Sequence, residues 1–391
     1  MIIFSLAPKR VGQLDFLIQF ILNFLSLNKK YIPIILFFDK KLFLQFKKNI
    51  VLYKIVKNSG YCFLFNIPKL PLINVILKII IILPFLVFFL IKKNNIVFIY
   101  KSIYSVSDKF IYFFNKFRGR TFTYLANNTY NDLINRYFDK DNDPVNRVGD
   151  KVTILESSNS GDGLLINSDK AEKFLKLKGY KNFKVVGFPF LNKPFQTFIK
   201  DNSFKIINEE LGINISEKNE INSILINKFW GRWSNQSVSW LKSNLSQIIK
   251  ILVSKNPKCI ILIRPYPVEN NHLEEILSEI NNSNIYLTYT HPSSLSHISN
   301  NVIGLAQSSV CLSCVGFGTP YFEISSVNAD QKKLYEKGSI YSEYCTVVDD
   351  VKNLDNLIIQ NKNTKISVEV FKEKIGHKDI EFNELIFGNN E

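Results

Sequence analysis

Short apolar segments with strand character alternate with helix patterns along almost the whole chain, and this alternation constrains the fold most. Ile2–Leu6 and Tyr31–Phe38, for example, enclose Leu14–Leu27, whose apolar residues recur every three to four positions. Strands that alternate with helices of this kind form βαβ units and a parallel sheet. A second series starts at Ser223–Lys228. The sequence therefore predicts an α/β protein with two Rossmann-like domains facing a cleft.

The length of 391 residues also predicts two domains, and a hydrophobic content of 46% is sufficient for two cores. Asp201–Asn222 is charged and low in aromatic residues, so we interpret it as a linker. This predicts an N-terminal Rossmann-like domain at residues 1–200, the linker at 201–222, and a C-terminal Rossmann-like domain with a helical tail at 223–391.

The formal net charge of +15 comes from lysines on nearly every segment, which favours a solvated basic surface. The alternative is attraction to anionic lipid headgroups or to a polyanionic substrate. No recognisable nucleic-acid-binding module accompanies the charge, so we expect no nucleic-acid partner.

Pro71–Ile91 is apolar and long enough to cross a membrane. It also contains Lys78 and Pro84 and lies between two strand candidates. A helix that packs against a sheet, or lies partly in the membrane surface, explains it equally well. The N-terminus lacks a signal-peptide pattern, because its first charges follow the apolar run. We expect a cytoplasmic protein, peripheral on the inner face of the cytoplasmic membrane.

The five cysteines are too few and too dispersed for a disulfide framework, which fits a reducing cytoplasm. Cys311 and Cys314 have CxxC spacing, but no second pair and no close histidine pair accompany them. We interpret them as small packing residues on one helix face and expect no metal site.

Polar residues follow four apolar segments of the predicted C-terminal domain. In an open parallel sheet, ligands bind outside the carboxyl ends of the strands. Hydroxyl groups and the N–H groups of a starting helix can hold a phosphate there, and glycine allows close backbone approach. We therefore predict a phosphate-binding site. Its candidate residues are Arg264, His291, Ser308, Ser309 and Gly318.

Each candidate residue also has a purely structural explanation. Arg264 is then a surface ion-pair partner, and His291 caps the short helix that follows it. The serine pair is then only a helix N-cap. Gly318 then permits close packing between a helix and a strand. The placement of these residues after successive strands is what favours a common site.

In the predicted N-terminal domain, the loop after the first strand faces the same cleft. Lys9 and Arg10 are candidates for binding an anionic acceptor. Asp15 is the candidate catalytic base that takes a proton from the acceptor hydroxyl. Alternatively, Asp15 only stabilises the start of a helix through the macrodipole. Rival bases on later loops are Asp132, Glu156 and Asp162.

The motifs together resemble the two-domain GT-B glycosyltransferases that build bacterial capsule, lipopolysaccharide or teichoic-acid-like polymers. The residues that carry the resemblance are Val185–Pro189, Ile263–Pro267, His291-Pro292, Ser308-Ser309 and Gly318–Pro320. The resemblance implies a metal-independent transferase with no cofactor. Its C-terminal domain would bind a nucleotide sugar, and its N-terminal domain a glycan or lipid-linked acceptor at the inner membrane.

Two departures from the family patterns affect the substrate. Families of this kind often have Arg/Lys-Pro-His-Pro where this chain has Arg264-Pro265-Tyr266-Pro267. Enzymes that use UDP-sugars, and the related UDP-N-acetylglucosamine 2-epimerases, usually place a glutamate in the helix after the phosphate loop. Val310–Val315 contains none. The comparison favours a CMP- or CDP-linked donor, as in sialyl- and Kdo-type transferases. A sugar-nucleotide 2-epimerase and a non-catalytic polysaccharide-assembly protein remain the alternatives.

Overall fold

The structure is a computed structural model, and the statements below concern the residues that it describes. These are residues 1–8, 11–67, 71–91, 96–100, 120–124, 162–168, 172, 176, 183–227, 237–266, 273–278, 280, 282–306, 308–325, 339, 341–361 and 367–377.

The first part of the chain forms a seven-stranded sheet in the order β3-β2-β1-β4-β5-β6-β7, and all of its strand pairs are parallel. The strands are β1 Ile2–Leu6, β2 Ile32–Phe37, β3 Tyr61–Leu64, β4 Ile96–Tyr100, β5 Arg120–Tyr124, β6 Gly163–Ile166 and β7 Phe183–Val185. The helices are α1 Val11–Leu27, α2 Lys40–Lys48, α3 Ile50–Ser59 and α4 Pro71–Ile91, with a 3-10 turn at Pro189–Leu191.

The second part forms a six-stranded sheet in the order β10-β9-β8-β11-β12-β13, and its pairs are also parallel. The strands are β8 Ile221–Ile226, β9 Ile260–Arg264, β10 Ile285–Leu287, β11 Asn301–Leu305, β12 Tyr321–Ile324 and β13 Thr346–Val348. The helices are α5 Lys193–Leu211, α6 Val238–Lys255, α7 Leu273–Ser278, α8 Pro292–Ile298, α9 Val310–Gly316, α10 Leu354–Asn361 and α11 Val368–Lys374. A 3-10 turn at Val351–Asn353 precedes α10. The predicted class, two Rossmann-like α/β domains, is confirmed.

Central strands of both sheets are buried along their whole length. Every residue of β8 and of β11 is buried. Strands of a parallel sheet are covered on both faces, so they appear in the sequence as continuous apolar runs instead of alternating patterns. In the second core, strand residues such as Ile224 and Ile303 pack with Leu245 of α6 and Leu354 of α10. This core fixes the positions of the strand ends described below.

The chain divides into two compact units. The first contains residues 1–48 and 52–195, and the second contains 196–374 with 49–51. Residues 201–211, which the sequence assigned to a linker, complete helix α5, where Ile206 and Ile207 are buried. Ile375–His377 belongs to the first unit, and the His377 Nδ1 accepts a hydrogen bond from the Phe188 amide at 2.9 Å.

Two helices of the first unit differ from the prediction. Helix α1 begins at Val11, whereas the sequence placed a turn up to Gln13. The helix therefore begins three residues earlier than expected and includes Gly12. Helix α3 follows α2 almost directly, with Asn49 between them, and was not predicted.

Helix α4 packs one side against the first sheet. Its Ile82 is buried with Phe4, Leu36 and Val97, and the ring centroids of Phe85 and Phe4 lie 5.1 Å apart. Pro84 lies within the helix. On this side, Pro71–Ile91 is the predicted helix that packs against a sheet. Within the described ranges, no helix meets the length and hydropathy required to cross a membrane.

The second core contains a buried carboxyl group. Glu323 on β12 is 1% exposed, and the Ser339 hydroxyl donates a hydrogen bond to its Oε2 at 3.1 Å. Burial raises the pKa of Glu323 from 4.5 to about 7, because the low-dielectric core disfavours the charged form, and the Ser339 hydrogen bond offsets this only in part.

We predict that Glu323→Gln removes a pH dependence of stability. Between pH 4.5 and about 7 the unfolded chain releases the Glu323 proton while the folded chain keeps it, so wild-type stability falls as pH rises through this window. The variant should gain up to roughly 3 kcal/mol over wild type between pH 4.5 and 8. Denaturant unfolding at both pH values measures this. The variant Glu343→Gln, which changes an exposed glutamate, is the control, and an equal gain at both pH values would contradict the prediction.

Candidate functional site

The second sheet has a topological switch point between β8 and β11. The chain runs outward from β8 through β9 to β10, then returns to pair β11 with the other side of β8. Connections from the two central strands diverge at such a point and leave a crevice at the carboxyl ends. Asn227 follows β8 and Ala306 follows β11, so these two residues occupy that edge.

Asn227 joins the two strand ends. Its Nδ2 donates to the Ala306 carbonyl at 2.7 Å, and its backbone amide donates to the Leu305 carbonyl at 3.3 Å. Ala306 has φ +76°, and it is the only non-glycine residue with positive φ among those the structure describes. An alanine in this region of φ is strained, and it keeps this conformation only where its surroundings hold it. Strained residues of this kind cluster at functional sites. The hydrogen bonds of Asn227 supply part of that restraint.

Gly304 on β11 makes room for a tyrosine next to this turn. A Cβ on Gly304 would lie 1.8 Å from the Tyr321 hydroxyl oxygen and 2.5 Å from its Cζ. The Tyr321 ring is buried, and its hydroxyl oxygen is 3.5 Å from the Asn227 Nδ2. The glycine thus lets a large ring fill the space behind the strand ends.

Ser308 and Ser309 lie between Ala306 and helix α9, at the switch point. The Ser308 Oγ accepts a hydrogen bond from the Val310 amide at 3.3 Å. Ser309 is the N-cap residue of α9, but its side chain makes no capping hydrogen bond. The Ser308 side chain therefore caps the start of α9 in part, as the structural alternative predicted. The Ser309 hydroxyl group does not. Both serines are partly exposed.

Gly318 has a structural role that its sequence context left open. It has φ +74°, and an added Cβ would meet only Val368 at 3.8 Å. Its amide bonds to the Val315 carbonyl at 2.8 Å, and the Thr319 amide bonds to the Cys314 carbonyl at 3.0 Å. This pair of bonds is the Schellman motif, which ends a helix with a left-handed glycine. Gly318 therefore ends α9, and its contact with a bound phosphate stays a prediction.

Arg264 and His291 are linked through one loop. Arg264 ends β9, and its Nε donates to the Thr290 carbonyl at 2.8 Å. His291 is 3% exposed and caps α8, since its Nδ1 accepts from the Ser293 amide at 3.0 Å. The capping alternative therefore describes His291.

Glu210, near the end of α5, holds the same loop. Its carboxylate accepts hydrogen bonds from the Thr288 hydroxyl at 2.8 Å, from the Tyr289 amide at 2.6 Å, and from the Thr290 hydroxyl. Hydrogen bonds to an ionised group are about twice as strong as neutral ones. Glu210 therefore fixes residues 288–290, and through the Thr290 carbonyl it fixes Arg264.

Helices α8 and α9 approach closely through small side chains. The Ser293 and Ser313 hydroxyl oxygens are 2.6 Å apart, and the Ser296 Oγ is 2.9 Å from the Cys314 Sγ. The β10–β11 and β11–β12 connections are thus joined on one side of the switch point. Cys311 and Cys314 are buried, and desolvation raises the pKa of Cys314 to about 12, which keeps it a thiol. Within the described ranges, no group of three histidine, cysteine or acidic side chains could hold a metal ion.

Of the residues predicted in the first unit, the structure describes Asp15 and Asp162. Asp15 lies in the second turn of α1, and its Oδ1 accepts from the Gln19 Nε2 at 2.7 Å, so the macrodipole explanation for the first turn does not apply. Asp162 accepts from the Thr121 amide at 2.6 Å, near the amino end of β5, which is opposite to the ligand-binding edge of a parallel sheet. Four further candidates lie outside the described residues: Lys9, Arg10, Asp132 and Glu156.

Sequence reasoning missed three residues of the candidate site. Asn227 directly follows a buried strand, so the criterion that selected Arg264 also identifies it. Glu210 was placed in a linker, and its pairing with residues about 78 positions away leaves no local signal. The conformation of Ala306 has no signal either, because alanine is not a typical left-handed residue.

No protein-family model matches this chain, and no curated protein matches its sequence. Solved structures do match. The UDP-GlcNAc 2-epimerase of Methanocaldococcus jannaschii matches with a TM-score of 0.55 and 13% identity over 97% of this chain and 95% of its own. The Neisseria meningitidis UDP-GlcNAc 2-epimerase bound to UDP-GlcNAc matches with a TM-score of 0.53 and 11% identity, covering 98% and 97%.

The chain has a GT-B-type fold. A glycosyltransferase from Rickettsia africae also matches over 100% of this chain and 99% of its own, at 12% identity, but its TM-score of 0.44 is too low to support an argument. At 13% and 11% identity, the similarity to the two epimerase structures shows the fold of this chain and not its reaction.

We predict that Glu210→Ala accelerates hydrogen exchange at the Tyr289 amide by about 10- to 100-fold, because a hydrogen bond to a charged group contributes about 1.5–3 kcal/mol. Amide exchange followed by NMR or mass spectrometry measures the effect. The control is Glu209→Ala, its exposed neighbour. Equal exchange at Tyr289 in wild type and Glu210→Ala would show that the carboxylate does not hold the loop.

We also predict that Gly304→Ala lowers stability by about 1–3 kcal/mol, since the new methyl group overlaps the buried Tyr321 ring. Gly12→Ala is the matched control, because its Cβ would have nothing within 4 Å. Thermal unfolding of both variants distinguishes them. Similar melting temperatures would contradict the described packing of Gly304.

Proposed function

We propose that this protein is an enzyme that acts on a nucleotide sugar, and that its second unit binds the nucleotide at the switch point between β8 and β11. The observation that carries the proposal is the set of polar residues at the carboxyl ends of these strands and their neighbours. The set comprises Asn227, Arg264, His291, Ser308 and Ser309.

The chemistry of this set suits a diphosphate. The Ser308 and Ser309 hydroxyl groups would donate hydrogen bonds to phosphate oxygens. Arg264, held by the Thr290 carbonyl, would offset the negative charge of the phosphates and of a leaving nucleotide.

The reaction that the comparisons favour is 2-epimerisation of a UDP-sugar. Both matching structures with a TM-score above 0.5 described above are UDP-GlcNAc 2-epimerases, and they cover this chain almost completely. This is better support than exists for the CMP- or CDP-dependent transferase that the sequence favoured. An epimerase acts on the nucleotide sugar alone and needs no acceptor.

The second candidate is transfer of a sugar from a CMP- or CDP-linked donor to a glycan or lipid-linked acceptor. The observation that favours it is the composition of α9, which contains only valine, cysteine, leucine, serine and glycine. Helix α9 therefore has no carboxylate that could hold a ribose. UDP-sugar enzymes of the families that this chain resembles usually have a glutamate there. Asp15 stays the proposed base for this second reaction only. Neither reaction requires a metal or cofactor in this proposal.

Incubation with UDP-GlcNAc in the absence of acceptor separates the two reactions. We expect proton NMR to show inversion at C2 of the sugar, with no transfer of the sugar to an acceptor. Consumption of a CMP- or CDP-sugar only when an acceptor is added would favour the transferase instead. If none of the UDP-, CMP-, CDP- and GDP-sugars raises the melting temperature, the nucleotide-sugar proposal itself is wrong.

For the site, we predict that Ser308→Ala with Ser309→Ala weakens nucleotide binding by about 10- to 100-fold, the cost of losing hydrogen bonds to a charged phosphate. Calorimetric titration with the active nucleotide measures the change. Ser243→Ala, an exposed serine of α6, is the control. Unchanged affinity in the double variant would remove the serines from the site.

A further inference from the structure

Helix α4 exposes a continuous apolar surface on the side that faces away from the sheet. We call its five exposed residues with alternating spacings of three and four the apolar ridge. They are Ile73, Ile76, Ile80, Leu83 and Val87, with exposures of 44%, 48%, 56%, 51% and 49%. This spacing places them along one side of a helix. Exposed apolar surface of this extent marks a site of interaction with a protein or a membrane.

The aromatic edge of the first sheet lies on the same side as α4. β3 is the edge strand, and its Tyr61 and Phe63 are 58% and 43% exposed, with ring centroids 6.2 Å apart. Tyr61 is in register with Ile34, which is in register with Phe4. Residues in register point to the same face of a sheet, and α4 packs on Phe4. The apolar ridge and the aromatic edge are therefore on one face.

Ring contacts connect α4 to this edge. The Lys78 Nζ of α4 lies 5.5 Å from the ring centroid of Phe38, and the Phe38 and Phe65 centroids are 6.1 Å apart. Phe65 in turn is 6.5 Å from Phe63. These contacts connect α4 to the sheet edge, and none of the residues that make them is acidic.

The acidic residues of the chain are distributed unevenly, although its lysines are not. Residues 1–124 contain 19 lysines and arginines but only three aspartates and no glutamate, a formal charge of +16. The whole chain carries +15, so the remaining residues are close to neutral. The segment that contains α4 and β3 therefore accounts for the basic character of the protein.

We propose that the apolar ridge docks the protein onto the surface of a bilayer that contains anionic lipids. The ridge would enter the boundary between headgroups and acyl chains, with the helix axis in the membrane plane. Tyr61 and Phe63 would lie at the headgroup level, where aromatic side chains are favoured. The lysines and arginines of residues 1–124 would be attracted to the negative headgroups.

The charge decides between a bilayer and a second copy of this chain. Two copies that joined through the apolar ridge would bring two segments of +16 together, whereas an anionic surface is attracted to each. The buried contacts of Ile82 and Phe85 hold α4 on the sheet, which favours docking over insertion. The proposal carries forward the expectation of a peripheral protein on the inner face of the cytoplasmic membrane.

Flotation of the full-length protein with vesicles tests the proposal. Vesicles of phosphatidylcholine with about one third phosphatidylglycerol should bind at least about tenfold more protein than pure phosphatidylcholine. Raising the salt concentration should weaken binding to the anionic vesicles, because salt screens the attraction. Equal binding to both compositions, or no binding to either, would overturn the proposal.

The variant Ile76→Glu with Ile80→Glu should reduce binding to the anionic vesicles at least about tenfold, since two charges would have to enter the interface. The matched control is Ile359→Glu in the second unit, where the side chain is 52% exposed on α10. If the glutamate variant fails to fold by circular dichroism, Ile76→Ser with Ile80→Ser replaces it, with the same direction expected. Undiminished vesicle binding by a folded variant would overturn the proposal. Light scattering that shows a wild-type dimer, converted to a monomer by the variant, would also overturn it in favour of a second copy.

Discussion

The pairing of β8 with β11 is the constraint on which the candidate site depends. Their parallel register runs from Asn222 with Asn301 to Ile226 with Leu305, so both strands end at the same level. Asn227 can then reach the Ala306 carbonyl and close the edge. A shift of one residue would turn every strand side chain to the other face and separate these groups. The buried core of the second unit therefore determines where the polar residues after the strands lie.

The second determinant of the candidate site is the loop from Thr288 to His291. Glu210 accepts three hydrogen bonds from this loop, and the loop holds both Arg264 and the N-terminus of α8. Removal of this carboxylate would leave buried donors without partners, which costs more than the bonds contribute. The positions of Arg264 and His291 thus depend on a residue of α5, outside the strands that they follow.

Much of the fold was predictable, because the alternation of strands and helices is a local pattern. The strands after Ser223 and the polar residues at their ends follow from hydrophobic periodicity. The roles of individual residues were less predictable. Gly318 and His291 serve helix ends, and the sequence allowed that role beside a binding role. Glu210 and the conformation of Ala306 depend on tertiary contacts, so no local pattern contains them. Asp15 was expected in the first turn of a helix that begins at Leu14. Because α1 begins at Val11, Asp15 lies in the second turn.

The function proposed for this protein requires that a nucleotide binds at the switch point of the second sheet. Hydrogen–deuterium exchange of the full-length protein with saturating UDP, and separately with CMP, tests it most directly. We expect protection of the peptides that cover residues 288–294 and 304–312, with little change in β10 and α6. Protection confined to the first unit, or no protection by either nucleotide, would contradict it.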